Sequence, residues 1–382
     1  MVSPSRPAGS TLPSPRFHGP QTPYPRLPGR GPRAGAGIQS PSMPPLDLHG
    51  RALANLRLSV TDRCNLRCAY CMPEENYAWF AKSLILSFEE IARTVEAFTL
   101  LGVEKLRLTG GEPLLRKDLP VLVGLLAAQP AIRDLALTTN GLLLRALAPA
   151  LAQAGLHRLT VSLDTLQPER FRALTRRDGL HDVLDGIAAA REAGFKQLKL
   201  DSVMLRGTND DELVPLLEFA RAHDAEVRFI EYMDVGGATH WSMDSVLTRA
   251  QMLQRIAAAY GPVTPLVEHS SAPAERFLLA DGTVFGIIAS TTQPFCSTCD
   301  RSRLTADGMW FTCLYARSGL DLRGPLRAGA SAADLADLIA RTWTRRSDRG
   351  AEERLALHQR APLAGSAELQ GNPHLEMHTR GG

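Results

Sequence analysis

From about residue 53 the chain alternates between two patterns. Short apolar runs come at regular intervals: NLRLSVT, KLRLTGG, DLALTTN, RLTVSLD, LKLDSVM and EVRFIEYM. Their length and period-2 alternation predict β-strands. Between them lie amphipathic stretches with helical spacing. One opens at Ser87, with Glu90 three residues later as a capping box, and stops at Gly102. Others stop at Gly155 and Gly194, and DDELVPLLEFARAHD reads as a helix with acids in its first turn.

Strands alternating regularly with helices predict right-handed βαβ units and a parallel sheet. Six in a row predict an α/β fold, an incomplete (β/α)6 TIM-type barrel over residues 51–240. Beyond residue 240 the pattern changes. RFLLADGTVFGIIAS reads as two antiparallel strands around Asp281-Gly282, and a last helix is expected near 332–345. Residues 241–382 are therefore expected to form an extension that closes the barrel. Residues 1–50 are rich in Pro, Gly, Ser and Arg, have no apolar periodicity and hold no acidic residue before Asp47. They are expected to be a disordered extension, with Met43 as an alternative start.

Composition narrows the function classes. With 43 basic and 40 acidic residues, the balance argues against a dedicated nucleic-acid binder. The run 119–132 is apolar and charge-free but too short to cross a bilayer, and the start of the chain shows no secretory pattern. A cytoplasmic protein that binds neither membrane nor nucleic acid is expected.

Chemistry concentrates in the six cysteines. Cys64, Cys68 and Cys71 lie in CNLRCAYC, on a loop directly after the first predicted strand. A disulfide would leave one thiol over, and a structural zinc site lacks a fourth ligand nearby. An iron–sulfur cluster suits three soft thiolates better. Three cysteines on a four-iron cubane leave one iron without a protein ligand, and the amino and carboxylate groups of S-adenosylmethionine (SAM) suit that open position. Active sites of β/α barrels lie at this end of the strands. One strand later comes TGGEP, residues 109–113, where paired glycines allow close backbone approach.

A second triad, Cys296, Cys299 and Cys313, is also one ligand short, with His269 the nearest upstream histidine. A zinc site with a distant fourth ligand remains open here, beside a second cluster that binds substrate. Arg301 and Arg303 sit at i, i+2 on an extended segment and suit an anionic ligand, although a solvated charged stretch is the usual outcome for arginines. With 38 arginines against five lysines, Lys199 on the fifth strand is less explained by composition.

CNLRCAYC and TGGEP resemble the radical SAM superfamily. Adding FCSTCDRSRLTADG, FIEYMDVG and the terminal Gly381-Gly382, the segment from about residue 50 onward resembles the GTP 3′,8-cyclases of molybdenum cofactor biosynthesis. The resemblance implies two [4Fe-4S] clusters, one on Cys64, Cys68 and Cys71 that cleaves SAM and one on Cys296, Cys299 and Cys313 that meets guanine. It implies SAM contacts at Tyr70, Gly111, Ser162 and Met233, and GTP contacts at Arg57, Arg107, Thr138, Lys199, Arg301 and Arg303. The tail, Gly381 and Gly382, would reach into the site, with Thr379 and Arg380 standing where the family often has apolar residues. The implied reaction cyclises GTP to (8S)-3′,8-cyclo-7,8-dihydroguanosine 5′-triphosphate. Implied partners are an electron donor and a downstream cyclic pyranopterin monophosphate synthase, and the family is often homodimeric. A peptide-modifying radical SAM enzyme is the competing reading, and a nucleic-acid-binding zinc module a third.

Overall fold

A computed structural model describes residues 44–268 and 270–381. The expectations for residues 1–43, including the start at Met43, and for His269 and Gly382 fall outside the described residues. All six predicted strands form: β1 (Asn55–Ser59), β2 (Lys105–Thr109), β3 (Asp134–Thr139), β4 (Arg158–Ser162), β5 (Lys199–Met204) and β6 (Glu226–Glu231). They pair in parallel and in chain order. Six further strands follow: β7 (Thr264–Leu266), β8 (Glu275–Leu278), β9 (Val284–Ile288), β10 (Arg301–Leu304), β11 (Met309–Phe311) and β12 (Leu320–Asp321).

These later strands extend the barrel sheet at both edges. β10 adds in parallel beside β1, and β9 adds in parallel beside β6. The antiparallel β8 covers the outer edge of β9, and β11 covers that of β10. As an incomplete barrel implies, the sheet is open among the described residues, and the extension flanks it at both edges. Those edges already have their backbone partners, so the sheet stays open.

Local signals account for most helices. Ser87 and Glu90 make the reciprocal capping box of the helix Phe88–Thr99. The first-turn acids expected of DDELVPLLEFARAHD are corrected. The helix Leu213–Ala222 starts after Glu212, whose carboxylate takes Thr165, the Leu166 N–H and Arg170 instead. The helix Ala332–Trp343 is not the last, because Gly350–Leu355, Ser366–Gly371 and Met377–Arg380 follow it. The unstructured reading of residues 1–50 also ends too late. Asp47, the first acidic residue, is buried, pairs with Arg51 at 2.7 Å and also meets Arg346.

The two faces of each strand differ sharply. Leu56, Leu58, Leu106, Leu108, Leu135 and Leu137 pack outward into the main core under the helices. The alternate, inward positions are polar: Arg57, Arg107, Thr138, Thr160, Lys199 and Asp201. A closed β/α barrel fills this space with branched apolar side chains. Charged groups cannot pack that way, and the mouth of the sheet holds a cavity of about 330 Å³.

Candidate active site

The first cysteine loop leaves the C-terminal end of β1, where the Cys71 and Met72 amides both donate to the Cys68 carbonyl. TGGEP braces the chain leading into it. Gly111 donates to the Thr61 carbonyl at 3.0 Å and Glu112 to that of Arg63 at 2.7 Å. A Cβ on Gly110, which has φ +144°, would stand 2.3 Å from the Thr61 oxygen. Only glycine permits the approach. Glu112 is buried and accepts from Thr139 Oγ1 and the Asn140 amide, both at 2.7 Å, which ties β2 to β3. Burial pushes its pKa up to about 7.

Tyr70, within the cysteine loop, donates to Asp164 Oδ2 at 2.7 Å, and the Val203 amide donates to Asp164 Oδ1 at 2.8 Å. The cysteine loop is thereby fastened to β4 and β5. Burial raises the Asp164 pKa to about 6, although both hydrogen bonds favour the carboxylate.

The second triad sits between β9 and β10, on Cys296–Thr298 and the adjacent Cys299, with Cys313 just past β11. Arg51 donates to the Cys296 carbonyl at 2.8 Å and Arg346 to that of Cys299 at 2.9 Å. Burial opposes ionisation of Cys299, but Arg301 and Arg346 outweigh it and hold the thiol down at about 7. Burial pushes Cys64 up to about 11 and raises Cys68 and Cys71 as well.

One cavity receives all six cysteines, together with Tyr70, Gly111, Ser162, Met233, Arg57, Thr138, Arg301 and Arg303. Of the described residues anticipated from sequence, Arg107, Lys199 and Gly381 do not line it. Arg107 shares the lumen row and donates to Thr138 and Thr160, each at 2.9 Å. Burial lowers Arg107 to about 10 and Lys199 to about 8. Arg57 is lowered too, by burial first and then by Arg303 and Arg107 beside it. The lumen thus collects several positive charges, offset in part by Asp201 and Glu226.

The C-terminal tail lies against this charge. Arg303 donates to the carbonyls of Gly381 and Arg380. The Arg380 guanidinium is itself buried, 4.1 Å above the Phe311 ring, and donates to His374 and Leu314 carbonyls at 2.5 Å each. Thr379 is buried too and donates to the Pro373 and Glu376 carbonyls. Polar residues thus fill the apolar positions by satisfying backbone carbonyls.

Residues 58–220 match the Radical SAM superfamily model and residues 225–352 the Molybdenum Cofactor Synthesis C model. The chain is 56% identical over 340 residues to "GTP 3′,8-cyclase 3" of Mycobacterium bovis, covering 88% of this chain and 90% of the relative. The chain belongs to the GTP 3′,8-cyclase family. A second member, "GTP 3′,8-cyclase 1" of Mycobacterium tuberculosis, is 55% identical across 90% of this chain and 97% of its own. The cyclase of Xanthomonas axonopodis pv. citri is 45% identical across 83% and 96%. In fold, the chain resembles Streptococcus suis SuiB bound to S-adenosylmethionine, with TM-score 0.55, 14% identity and 78% of each chain covered.

As a family member the chain is a radical SAM enzyme, and its donors fit the cofactors of a GTP 3′,8-cyclase, SAM and two [4Fe-4S] clusters. Among the described residues no three His, Cys, Asp or Glu side chains converge on one metal-ion position. A cubane asks for something else, since each sulfur takes its own iron. Three thiols on one loop, all facing one cavity, meet that demand. Sequence reasoning missed Asp164, Asp201 and His378, which all line the cavity. Period-2 alternation along β4 and β5 held a signal for the first two, because it sets Asp164 in phase with Ser162 and Asp201 with Lys199. No pattern marked His378.

Proposed function

We propose that the chain cyclises GTP to (8S)-3′,8-cyclo-7,8-dihydroguanosine 5′-triphosphate, the first step of molybdenum cofactor biosynthesis. The observation that carries this reading is the single cavity onto which both cysteine triads and three arginines open. In it, Cys64, Cys68 and Cys71 would hold the SAM-binding cluster, and Cys296, Cys299 and Cys313 the substrate-side one. When bound, the first cluster and SAM would supply one-electron reductive chemistry that activates the C3′–H bond of GTP.

The chain's own residues supply position and charge. Tyr70, Gly111, Ser162 and Met233 line the same cavity as the first triad and would orient SAM. Arg57, Arg107, Lys199, Arg301 and Arg303 surround the lumen, where a triphosphate meets several cations in a poorly hydrated space. Thr138, held by Arg107, gives an orientable hydroxyl on the same face. The tail covers the site beside Arg303 and restricts water, which a carbon radical requires. An electron donor and a downstream enzyme that converts the cyclised nucleotide to cyclic pyranopterin monophosphate complete the sequence.

Anaerobic reconstitution tests the reading. The protein should take up about eight irons for two cubanes. With reductant, SAM and GTP it should form 5′-deoxyadenosine and the cyclised triphosphate. Zinc in place of iron, or SAM cleavage indifferent to GTP, would overturn it.

A further inference from the structure

One lumen carboxylate has no role in the account above. Asp201 points inward from β5, between Lys199 and Val203, and lines the cavity. Its Oδ1 is buried and meets no hydrogen-bond donor among the described residues. The carboxylate stabilises the charges of Arg57 and Arg107, and it raises the pKa of Asp164. It therefore lies within electrostatic reach of the lumen cations on one side and of the carboxylate that anchors the cysteine loop on the other.

The strand register fixes its level. Asp201 stands opposite Ser162 on β4 and Arg228 on β6. Lys199 is two residues deeper, about 6.6 Å along the strand. Val203 is two residues nearer the mouth, and its amide holds Asp164, which holds Tyr70 of the cysteine loop. Asp201 thus stands level with Arg228, one step above Lys199 and one step below the residues that anchor the first cysteine loop.

A bare carboxylate is a liability in a lumen built for anions. If it served only to offset the guanidiniums, Oδ1 would be expected to take a donor from one of them. An ionised carboxylate accepts hydrogen bonds and donates none, and it commonly holds the hydroxyls of a ribose. In the GTP reading, the phosphates go to Lys199 and to Arg107, which the register sets two residues deeper in the row of Arg57 and Arg303. The sugar must then lie one step higher, close to where SAM reacts.

We propose that Asp201 is a positioning residue that accepts hydrogen bonds from the ribose hydroxyls of GTP and turns C3′ toward the SAM side of the cavity. This rests on the GTP reading. It explains why an acidic residue is placed among arginines and why its oxygen has no partner from the chain.

The test uses anaerobic holoenzyme of equal iron content, wild type, Asp201→Asn and Asp201→Glu. Calorimetry measures binding of GTP, 2′,3′-dideoxy-GTP and SAM, and turnover gives the ratio of 5′-deoxyadenosine to cyclised product. Wild type should prefer GTP to the dideoxynucleotide. Asp201→Asn should bind GTP about tenfold more weakly, the scale of one hydrogen bond to a charged group, and lose that preference. SAM affinity should hold, and the ratio of 5′-deoxyadenosine to product should rise. Asp201→Glu keeps the charge but misplaces it, and should lose GTP affinity and coupling as well. A charge-offset role makes the opposite prediction, that Asp201→Asn binds GTP more tightly and Asp201→Glu behaves as wild type. Either result overturns the proposal, as does survival of the ribose preference in Asp201→Asn, or a loss confined to SAM. Wild-type holoenzyme that fails to bind GTP at all would overturn the reading of the site itself.

Discussion

Lys199 offers a quantitative check on the lumen as a triphosphate site. Burial, then Arg228 beside it, lowers its pKa from the usual 10.5 to about 8. Only the ammonium form attracts phosphate. At pH 7 about nine-tenths of the free protein carries that charge, and at pH 9 about one-tenth does. Bound triphosphate would raise the pKa and keep the group charged, so the proton must be paid in at binding once the pH exceeds 8. The expected affinity for GTP therefore falls about tenfold between pH 7 and pH 9, or about 1.4 kcal/mol. A phosphate's last ionisation, near pH 6, is largely over before that window opens. Arg107 and Arg303, both at about 10, remain mostly charged across it. Calorimetric titration of anaerobic holoenzyme at half-unit intervals measures the profile. Lys199→Arg stays charged and should flatten it, whereas Lys199→Met should bind at pH 7 as weakly as wild type does at pH 9 or worse. An affinity constant from pH 7 to 9, or a slope that persists in Lys199→Arg, would refute the assignment of this cation to the triphosphate.

Other outcomes follow from single contacts. In Gly237→Ala the new Cβ would sit 2.3 Å from the Cys71 carbonyl at φ +91°, so about 2–5 kcal/mol should be lost and iron uptake by the first triad impaired. Gly261→Ala, also at positive φ but in open space, should cost only the backbone part in the same melting assay. Tyr70→Phe removes the 2.7 Å bond to Asp164, and the KM for SAM should rise up to about tenfold while iron content holds. Cys313→Ala should leave about four irons and SAM cleavage that no longer responds to GTP, which iron assay and 5′-deoxyadenosine counting would reveal. His378 is held at about 3 by burial, below its ordinary 6.5. The unfolded chain therefore takes the proton first, and stability should fall as pH drops from about 6.5 toward 3, by at most about 1.4 kcal/mol per unit. Melting temperatures at pH 7 and pH 5 should diverge more for wild type than for His378→Phe.

Much of the scaffold was legible because its causes are local. Period-2 runs predicted the six barrel strands, and Ser87 with Glu90 predicted a helix start that the structure reproduces in both hydrogen bonds. The cysteine spacing, 64–68–71 and 296–299–313, was visible because loop ligands depend on short separations along the chain. Tertiary pairing decided the rest. Whether residues 241–382 close the barrel or flank it depends on which edges β8 and β11 cover, and no local pattern records that choice. The burial of Asp47 depends on Arg346, some 300 residues away.

For the chemistry, the sequence alone determined which residue types are present and at what spacing: two groups of three thiolates, each one ligand short, and a pair of arginines in phase on one strand. Tertiary structure decided that both groups share one cavity. It also decided that Arg57, Arg107 and Lys199 turn onto the same inner face as Arg303. Strand register places Arg57 beside Arg107 and Arg303, and lumen charge depends on those through-space distances rather than on separation along the chain. The unpartnered oxygen of Asp201 belongs to that second category. A lone acid on a strand looks like any other until the barrel surrounds it with cations and leaves one of its oxygens without a donor.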